Sequence, residues 1–495
     1  MALDLTQYFR LGLTSENVPI TDELYTTIRT APDSKTTNIS GGRVIFKLPT
    51  NGLITKESVI VFQPTKSALY LPRVALNPIN GILGAIKRCT FKLNGKVLQD
   101  LELPSYNQVA KFYATHSPQA VVDYHQFIYG CGFKSVQADI NPDGVEEMEY
   151  GYSVSQKANK AGQDLGKFVI GATTANSKKY SIPLTALGVS FLSQQNIPAF
   201  MFKSGTMTIE LEFNEDCRDY CVSNGNTNDN NALASDTVSI NLDSCELITT
   251  HILLSEQNEK SQLSMLRETK AGLKFPFIDE YLVRGTFIKG DVGDNQDNQY
   301  RLNTQERQLH KILMAWKSVD PPVNNPVAGR SVYAANQASN SPGDLVSLQI
   351  KMNGANVFQI PITSPVMMYY LNSLWNNGAA FKVSPLQYRY DSFIENMGDG
   401  IESAEAAFER AMMGRMAYLG VDFTNGTTDV LGNPVPYASG VVQKTALDVD
   451  MTWRAVSDPD TSTPDQNGAP DELLTYLQVA KLLTIMSDGT VNITF

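Results

Sequence analysis

Phe91-Lys92-Leu93-Asn94-Gly95-Lys96-Val97 is spelled again, residue type for residue type over most of its length, as Ile350-Lys351-Met352-Asn353-Gly354-Ala355-Asn356. In both stretches an apolar-alternating arm runs into Asn-Gly. That dipeptide is the strongest short hairpin signal, because a type I′ turn needs positive φ at both central residues. The match continues to Pro104, Val109, Phe112 and Tyr113 in the first copy and to Pro361, Val366, Tyr369 and Tyr370 in the second. Lys92 and Lys351 are 259 residues apart and Pro104 and Pro361 are 257 apart, so one two-residue gap aligns them. Each copy reads as strand, tight turn, strand, then a proline that ends the strand and a short helix with an aromatic pair. A repeat at about half of the 495 residues points to two copies of one domain in tandem.

Length agrees, since a chain of 495 residues exceeds one ordinary core. Hydrophobic residues make up 42%, enough to fill two cores. The net charge of −11, with no Lys/Arg-rich arm at either end, argues against direct contact with nucleic-acid phosphates. Five cysteines (Cys89, Cys131, Cys217, Cys221, Cys245), odd in number and irregularly spaced, fit free thiols in a reducing compartment. Met1 to Leu13 contains Arg10 and lacks a long apolar core with a small-residue cleavage site, so no signal peptide is expected there. No run of about 18 apolar residues occurs, so no helical membrane span is expected and the protein should be soluble when made.

Strand patterns dominate. Met207, Ile209, Leu211 and Phe213 alternate with Thr208, Glu210 and Glu212; Leu447, Val449, Met451 and Trp453 alternate with Asp448, Asp450 and Thr452. This two-residue period marks half-buried antiparallel strands. Val44-Ile45-Phe46, Ser58 to Phe62 and Ala68 to Leu71 read as further strands. Helical spacing appears at Leu3 to Leu13, Ser255 to Arg267, Thr304 to Trp316 and, most clearly, Ile401 to Tyr418. Strands and helices do not alternate regularly, so the expected class is mainly β, with a few short helices and no doubly wound sheet. Long polar loops are expected at Asn224–Asp236, Gly290–Gln299, Pro321–Pro342 and Ser457–Pro470.

No catalytic constellation emerges. The four histidines (His116, His125, His251, His310) do not pair with Cys, Glu or each other at ligand spacing. Cys217-x3-Cys221 lacks a second ligand pair, and Asp291, Asp294, Asn295 and Asp297 miss the EF-hand spacing and its final glutamate. Neither a nucleophile elbow nor a phosphate-binding glycine loop is present. The expectation is a non-enzyme with no catalytic, cofactor-binding or metal-binding residues and no cofactor.

Tyr180-Ser-Ile-Pro-Leu-Thr-Ala-Leu-Gly188, then Asn196-Ile-Pro-Ala and Gly205 to Phe213, resembles the Ile-Pro-Leu, short helix, Ile-Pro, strand signature of double jelly-roll major capsid proteins of double-stranded DNA viruses. Tyr476 through Gly489 to Phe495 resembles the closing strand and turn of the same family, and Gly42-Arg-Val-Ile-Phe46 is similar to its smaller virophage and polinton-like members. The resemblance implies two tandem eight-stranded antiparallel jelly-roll barrels. With the repeat, it divides the chain into an N-terminal arm (1–35), a first jelly roll (36–250), a linker (251–275) and a second jelly roll (276–495). It further implies a major capsid protein in the virion shell, forming pseudo-hexagonal homotrimers that tile an icosahedral capsid. The implied partners are neighbouring capsomers, penton and minor capsid proteins and an underlying membrane, without direct nucleic acid. The alternative is a carbohydrate-binding or carbohydrate-active double jelly-roll protein, for which Trp316, Trp375 and Trp453 are few and scattered.

Overall fold

A strand that alternates apolar and polar side chains must lay its apolar face on a second sheet, and the computed structural model shows this arrangement twice along the chain. It describes residues 24–37, 42–69, 74–76, 81–108, 137–140, 146–149, 170–175, 177–189, 191–194, 196–202, 207–223, 234–268, 272–288, 294–303, 308–317, 344–363, 418–423, 446–454, 472–486 and 490–494. In the first half β1 (Leu24–Thr30), β2 (Gly42–Lys47), β3 (Val59–Phe62), β4 (Ile86–Leu93), β5 (Lys96–Glu102), β6 (Tyr180–Pro183), β7 (Met207–Phe213) and β8 (Glu246–Leu253) form two sheets. Their orders are β1-β8-β3-β6 and β2-β7-β4-β5, antiparallel throughout. Short strands extend them: Ser34–Thr37 pairs with β2, and Leu53–Ile54 continues beside β8 where β3 stops.

The helix α1 (Glu256–Glu268), anticipated at Ser255 to Arg267, leads into the second half. There β9 (Leu273–Thr286), β10 (Asn295–Asn303), β11 (Gln308–Lys317), β12 (Asp344–Met352), β13 (Ala355–Asn356), β14 (Tyr418–Asp422), β15 (Ala446–Arg454) and β16 (Glu472–Ile485) follow. The sheet orders are β9-β16-β11-β14 and β10-β15-β12-β13. Adding eight to each label of the first barrel gives the second, so one jelly-roll topology is used twice. A last strand, β17 (Val491–Thr494), folds back on the end of β16.

The repeat extends to side chains. Asn94 and Gly95 (φ 50° and 75°) and Asn353 and Gly354 (φ 50° and 82°) make equivalent turns between β4 and β5 and between β12 and β13. Lys92 lies opposite Thr208 and reaches diagonally to Glu210 at 2.8 Å, while Lys351 lies opposite Asp448 and reaches diagonally to Asp450 at 2.5 Å. Glu246-Leu-Ile-Thr249 opens β8 and Glu472-Leu-Leu-Thr475 opens β16. Arg29 pairs with Ile248 as Arg284 pairs with Leu474, which fixes the correspondence of β1 with β9.

Beyond the hairpin the correspondence differs from the one read in the sequence. Cys89 pairs with Leu101, but its counterpart Leu348 bridges to Ile362. The second copy therefore holds two more residues between turn and bridge, and Pro361 precedes the bridge whereas Pro104 follows β5 and opens the helical residues 104–108. The helix expected at Thr304 to Trp316 is instead β11 from Gln308 onward. Residues 309–315 are buried on both faces there, and an apolar run without alternation mimics helical spacing. The expected loop Gly290–Gln299 yields β10 from Asn295; its polar residues are held by the backbone ladder to β15 and by Asn298, whose side chain bonds the N–H and C=O of Ile288 at 2.8 and 3.2 Å. Ala68 and Leu69 form a turn rather than a strand, while Tyr70 and Leu71 lie outside the described residues. β1 falls inside the segment 1–35, and β8 runs to Leu253, past the expected limit at 250. The helical readings at Leu3–Leu13 and residues 401–417, the aromatic pairs after Pro104 and Pro361, and the loop at Pro321–Pro342 lie outside the described residues, as does all of Ser457–Pro470.

Two apolar clusters form the cores. One gathers Phe46, Phe62, Phe91, Ile209, Leu247 and their neighbours; the other gathers Ile312, Leu348, Val449, Trp453 and Leu477. Phe275, Phe277, Leu483 and Ile485, from the N-terminal half of β9 and the C-terminal half of β16, join the first cluster rather than the second. The fourteen-residue strands β9 and β16 thus pass from one core to the other.

Candidate functional site

A set of polar contacts, several of them buried, lies where the β9–β16 ribbon meets the β5 edge of the first barrel. Strands at this place are apolar on both faces, as residues 473–477 of β16 are buried without a break, because one face lines the second core and the other is covered by the first barrel. The Tyr476 hydroxyl donates to the Leu103 carbonyl at 2.7 Å, and burial pushes that hydroxyl well above the ordinary tyrosine range. Leu103 itself has φ 46°, a strained conformation for leucine. The Asn107 amide donates to one Glu280 oxygen at 2.6 Å and the Gln478 amide to the other at 2.7 Å. Arg284 reaches Glu102 at 2.8 Å, and Lys96 donates to the Val491 carbonyl at 2.7 Å. Phe191 meets Phe277 edge to face, with centroids 5.2 Å apart.

Between the two cores sits a buried ion pair. Lys481 lies 2.5 Å from Asp279 and also donates to the Leu98 carbonyl at 3.3 Å. Burial raises the Asp279 carboxyl, against the pull of Lys481. A second buried pair, Lys311 with Asp422 at 3.1 Å, joins β11 to β14 beside His310. His310 sits at a bulge in β11, both its ring nitrogens buried without a hydrogen-bond partner, and burial pushes its pKa down to about 4. In the first barrel the ion pairs on the β2–β7–β4 sheet are wetter, as is their counterpart Lys351–Asp450 in the second. Glu210 is held below the ordinary carboxylate range: burial alone would raise it, but Lys92 and Arg43 more than offset that.

This arrangement fixes two barrels against each other. His251 is also buried, between the Asn51 carbonyl at 2.6 Å and Thr249 Oγ1 at 2.7 Å, and burial lowers its pKa. Cys89, Cys217, Cys221 and Cys245 are buried thiols outside any disulfide; burial raises the Cys221 thiol well above its ordinary value and Cys245 to about 12. Among the described residues no group of three or more His, Cys, Asp or Glu is placed to hold a metal ion. Asp297, from the acidic segment, accepts from Thr452 Oγ1 at 2.6 Å, and Trp453 is buried in the second core rather than on a concave surface. His116, His125, Cys131, Asp291 and Trp375 lie outside the described residues. The seam residues escaped the sequence reading, although the runs Leu473 to Leu477 and Val479 to Leu483, apolar but for Thr475 and Lys481, carry the signal of strands covered on both sides.

The fold defines the chain as a double jelly roll. It shares that fold with viral capsid proteins. PBCV-1 VP54, whose crystal structure has been fitted into a cryo-EM reconstruction of the virophage Sputnik, superposes with a TM-score of 0.53 at 12% identity, over 96% of this chain and 97% of VP54. The quasi-atomic model of the PBCV-1 capsid gives 0.53 at 13% identity over 96% and 97%. The sequence matches no protein-family model and no curated protein.

Proposed function

We propose that the chain is a major capsid protein of a double-stranded DNA virus, and that three copies associate into a pseudo-hexagonal capsomer that tiles an icosahedral shell. The observation that carries this reading is the duplicated jelly roll held by a buried seam and matched end to end by PBCV-1 VP54. Two barrels of one topology on a rigid block give three chains six similar faces, which suits hexagonal tiling by one protein. The role is structural rather than enzymatic, without catalytic, cofactor-binding or metal-binding residues. The partners are further copies, penton and minor capsid proteins and a membrane beneath the shell, and the location is the virion after soluble synthesis in the host cell. The acidic balance of −11 suits a shell that does not grip the genome itself. The two barrels act as the domains, joined through α1.

Light scattering coupled to size exclusion tests the reading. A mass three times that of the chain at micromolar concentration is expected. A monomer that retains glycan binding on an array would replace the capsid reading with the carbohydrate-binding one.

A further inference from the structure

The two cores differ in where their residues come from. Among the described residues the second core draws on nothing before Tyr281 or after Val479, so its side chains all lie within the second barrel. The first core is not self-sufficient. Leu273, Phe275 and Phe277 of β9, Leu483 and Ile485 of β16 and Val491 of β17 are built into it, although the first barrel's own strands end at Leu253. The strand β17 is the most distant of these pieces and acts as a strap. It pairs with Leu482–Ile485 of β16 and lays Val491 in the first core with Ile493 against it, while Asn492 and Thr494 face solvent. Lys96, beside the Asn94-Gly95 turn, ties the strap down. Its ammonium donates to the Val491 carbonyl at 2.7 Å, across 395 positions of chain, and to Asn492 Oδ1 at 3.4 Å. Contacts at such separation close late in folding, because the entropy of loop closure opposes them until the intervening chain is ordered.

Domains of one chain ordinarily fold in the order of their synthesis, N-terminal first. We infer that this chain reverses that order: the second barrel folds by itself and then, through the β9–β16 ribbon and the β17 strap, completes the core of the first. A finished pair of barrels exists only once residue 491 has been made. A chain interrupted inside the second barrel therefore cannot present a finished first barrel, which guards against faulty blocks. This order of folding does not depend on what the barrels assemble into, so its failure would leave the capsid reading untouched.

Hydrogen exchange of the whole chain, followed peptide by peptide, tests it. Phe46→Ala empties part of the first core and Trp453→Ala part of the second. Phe46→Ala should speed exchange in β2, β4 and β7 by about tenfold or more and leave β12 and β15 within about twofold of wild type, whereas Trp453→Ala should speed both barrels together. Val491→Ser should act like Phe46→Ala, although in sequence it lies beyond the second barrel. Lys96→Ala, at an exposed position, should shift the first barrel the same way by a smaller factor and serves if Val491→Ser does not fold. In pulse-labelled refolding of the wild type, β12 and β15 should gain protection before β2 and β7. Equal acceleration of both barrels by Phe46→Ala, a first barrel still protected in Trp453→Ala, unchanged first-barrel exchange in the strap variants, or a first barrel protected earliest on refolding would each overturn the proposed order.

Discussion

The two barrels share every strand neighbour, yet they place charge differently. In the first, the principal ion pairs line a wet sheet face: Lys92 and Arg43 on Glu210, and Arg88 on Asp100. The second keeps the matching wet pair Lys351–Asp450 and adds Lys311–Asp422 and Lys481–Asp279, sealed inside with each of those four side chains under 9% exposed. For Lys481–Asp279 the difference follows from strand length. β8 is eight residues long and leaves its outer face to solvent, whereas β16 is fourteen and is covered on both faces, so polar residues on it have no route to water. One topology can therefore serve as a free barrel or as a docked one, depending on how far its central ribbon extends.

The largest test of that contrast is Lys481→Met. Removing one partner of a buried pair strands the other charge, and the loss should be about 3–5 kcal/mol by chemical denaturation. The deficit relative to wild type should shrink as pH falls, since an unpaired buried Asp279 takes up a proton instead. A loss under about 1 kcal/mol would mean that the seam is wetter than its geometry implies.

Acid should strike the second barrel next. His310 has a folded pKa of about 4 against 6.5 when unfolded, so below pH 6.5 the unfolded chain binds the extra proton. Stability is whole above pH 6.5 and declines as pH falls toward 4, by about 2 kcal/mol at pH 5 from this residue. His310→Leu should flatten the dependence between pH 7 and 5 by that amount. An unchanged slope would assign acid sensitivity to other groups, His251 first among them, because its pKa is also lowered by burial.

Gly95→Val and Gly354→Val sharpen the comparison from the other side. An added Cβ meets nothing within 4 Å at either turn, so positive φ alone sets the cost, about 1–2 kcal/mol and equal in the two barrels. Unequal losses would show that the hairpins are not equivalent. Smaller again is Lys92→Ala, at about 0.5–1 kcal/mol, because the side chain is 31% exposed and Arg43 still holds Glu210. Lys351→Ala, at the matching and slightly more exposed position, should cost less still.

The amino-acid sequence determined the parts of this protein that depend on near neighbours. Asn-Gly dictates its turn through the φ values that only those residues adopt cheaply, and Met207–Phe213 and Leu447–Trp453 declare one wet and one dry face by alternation. The duplication was legible for the same reason, and so was α1. β11 was misread because burial on both faces erases alternation, and β10 because a ladder of backbone hydrogen bonds needs no apolar side chains. The seam was decided by tertiary structure alone. Tyr476, Lys481, Glu280 and Asp279 acquire their partners from residues 173 to 383 positions away in the chain or across the β9–β16 ladder, and no local pattern encodes which barrel will cover a strand's second face.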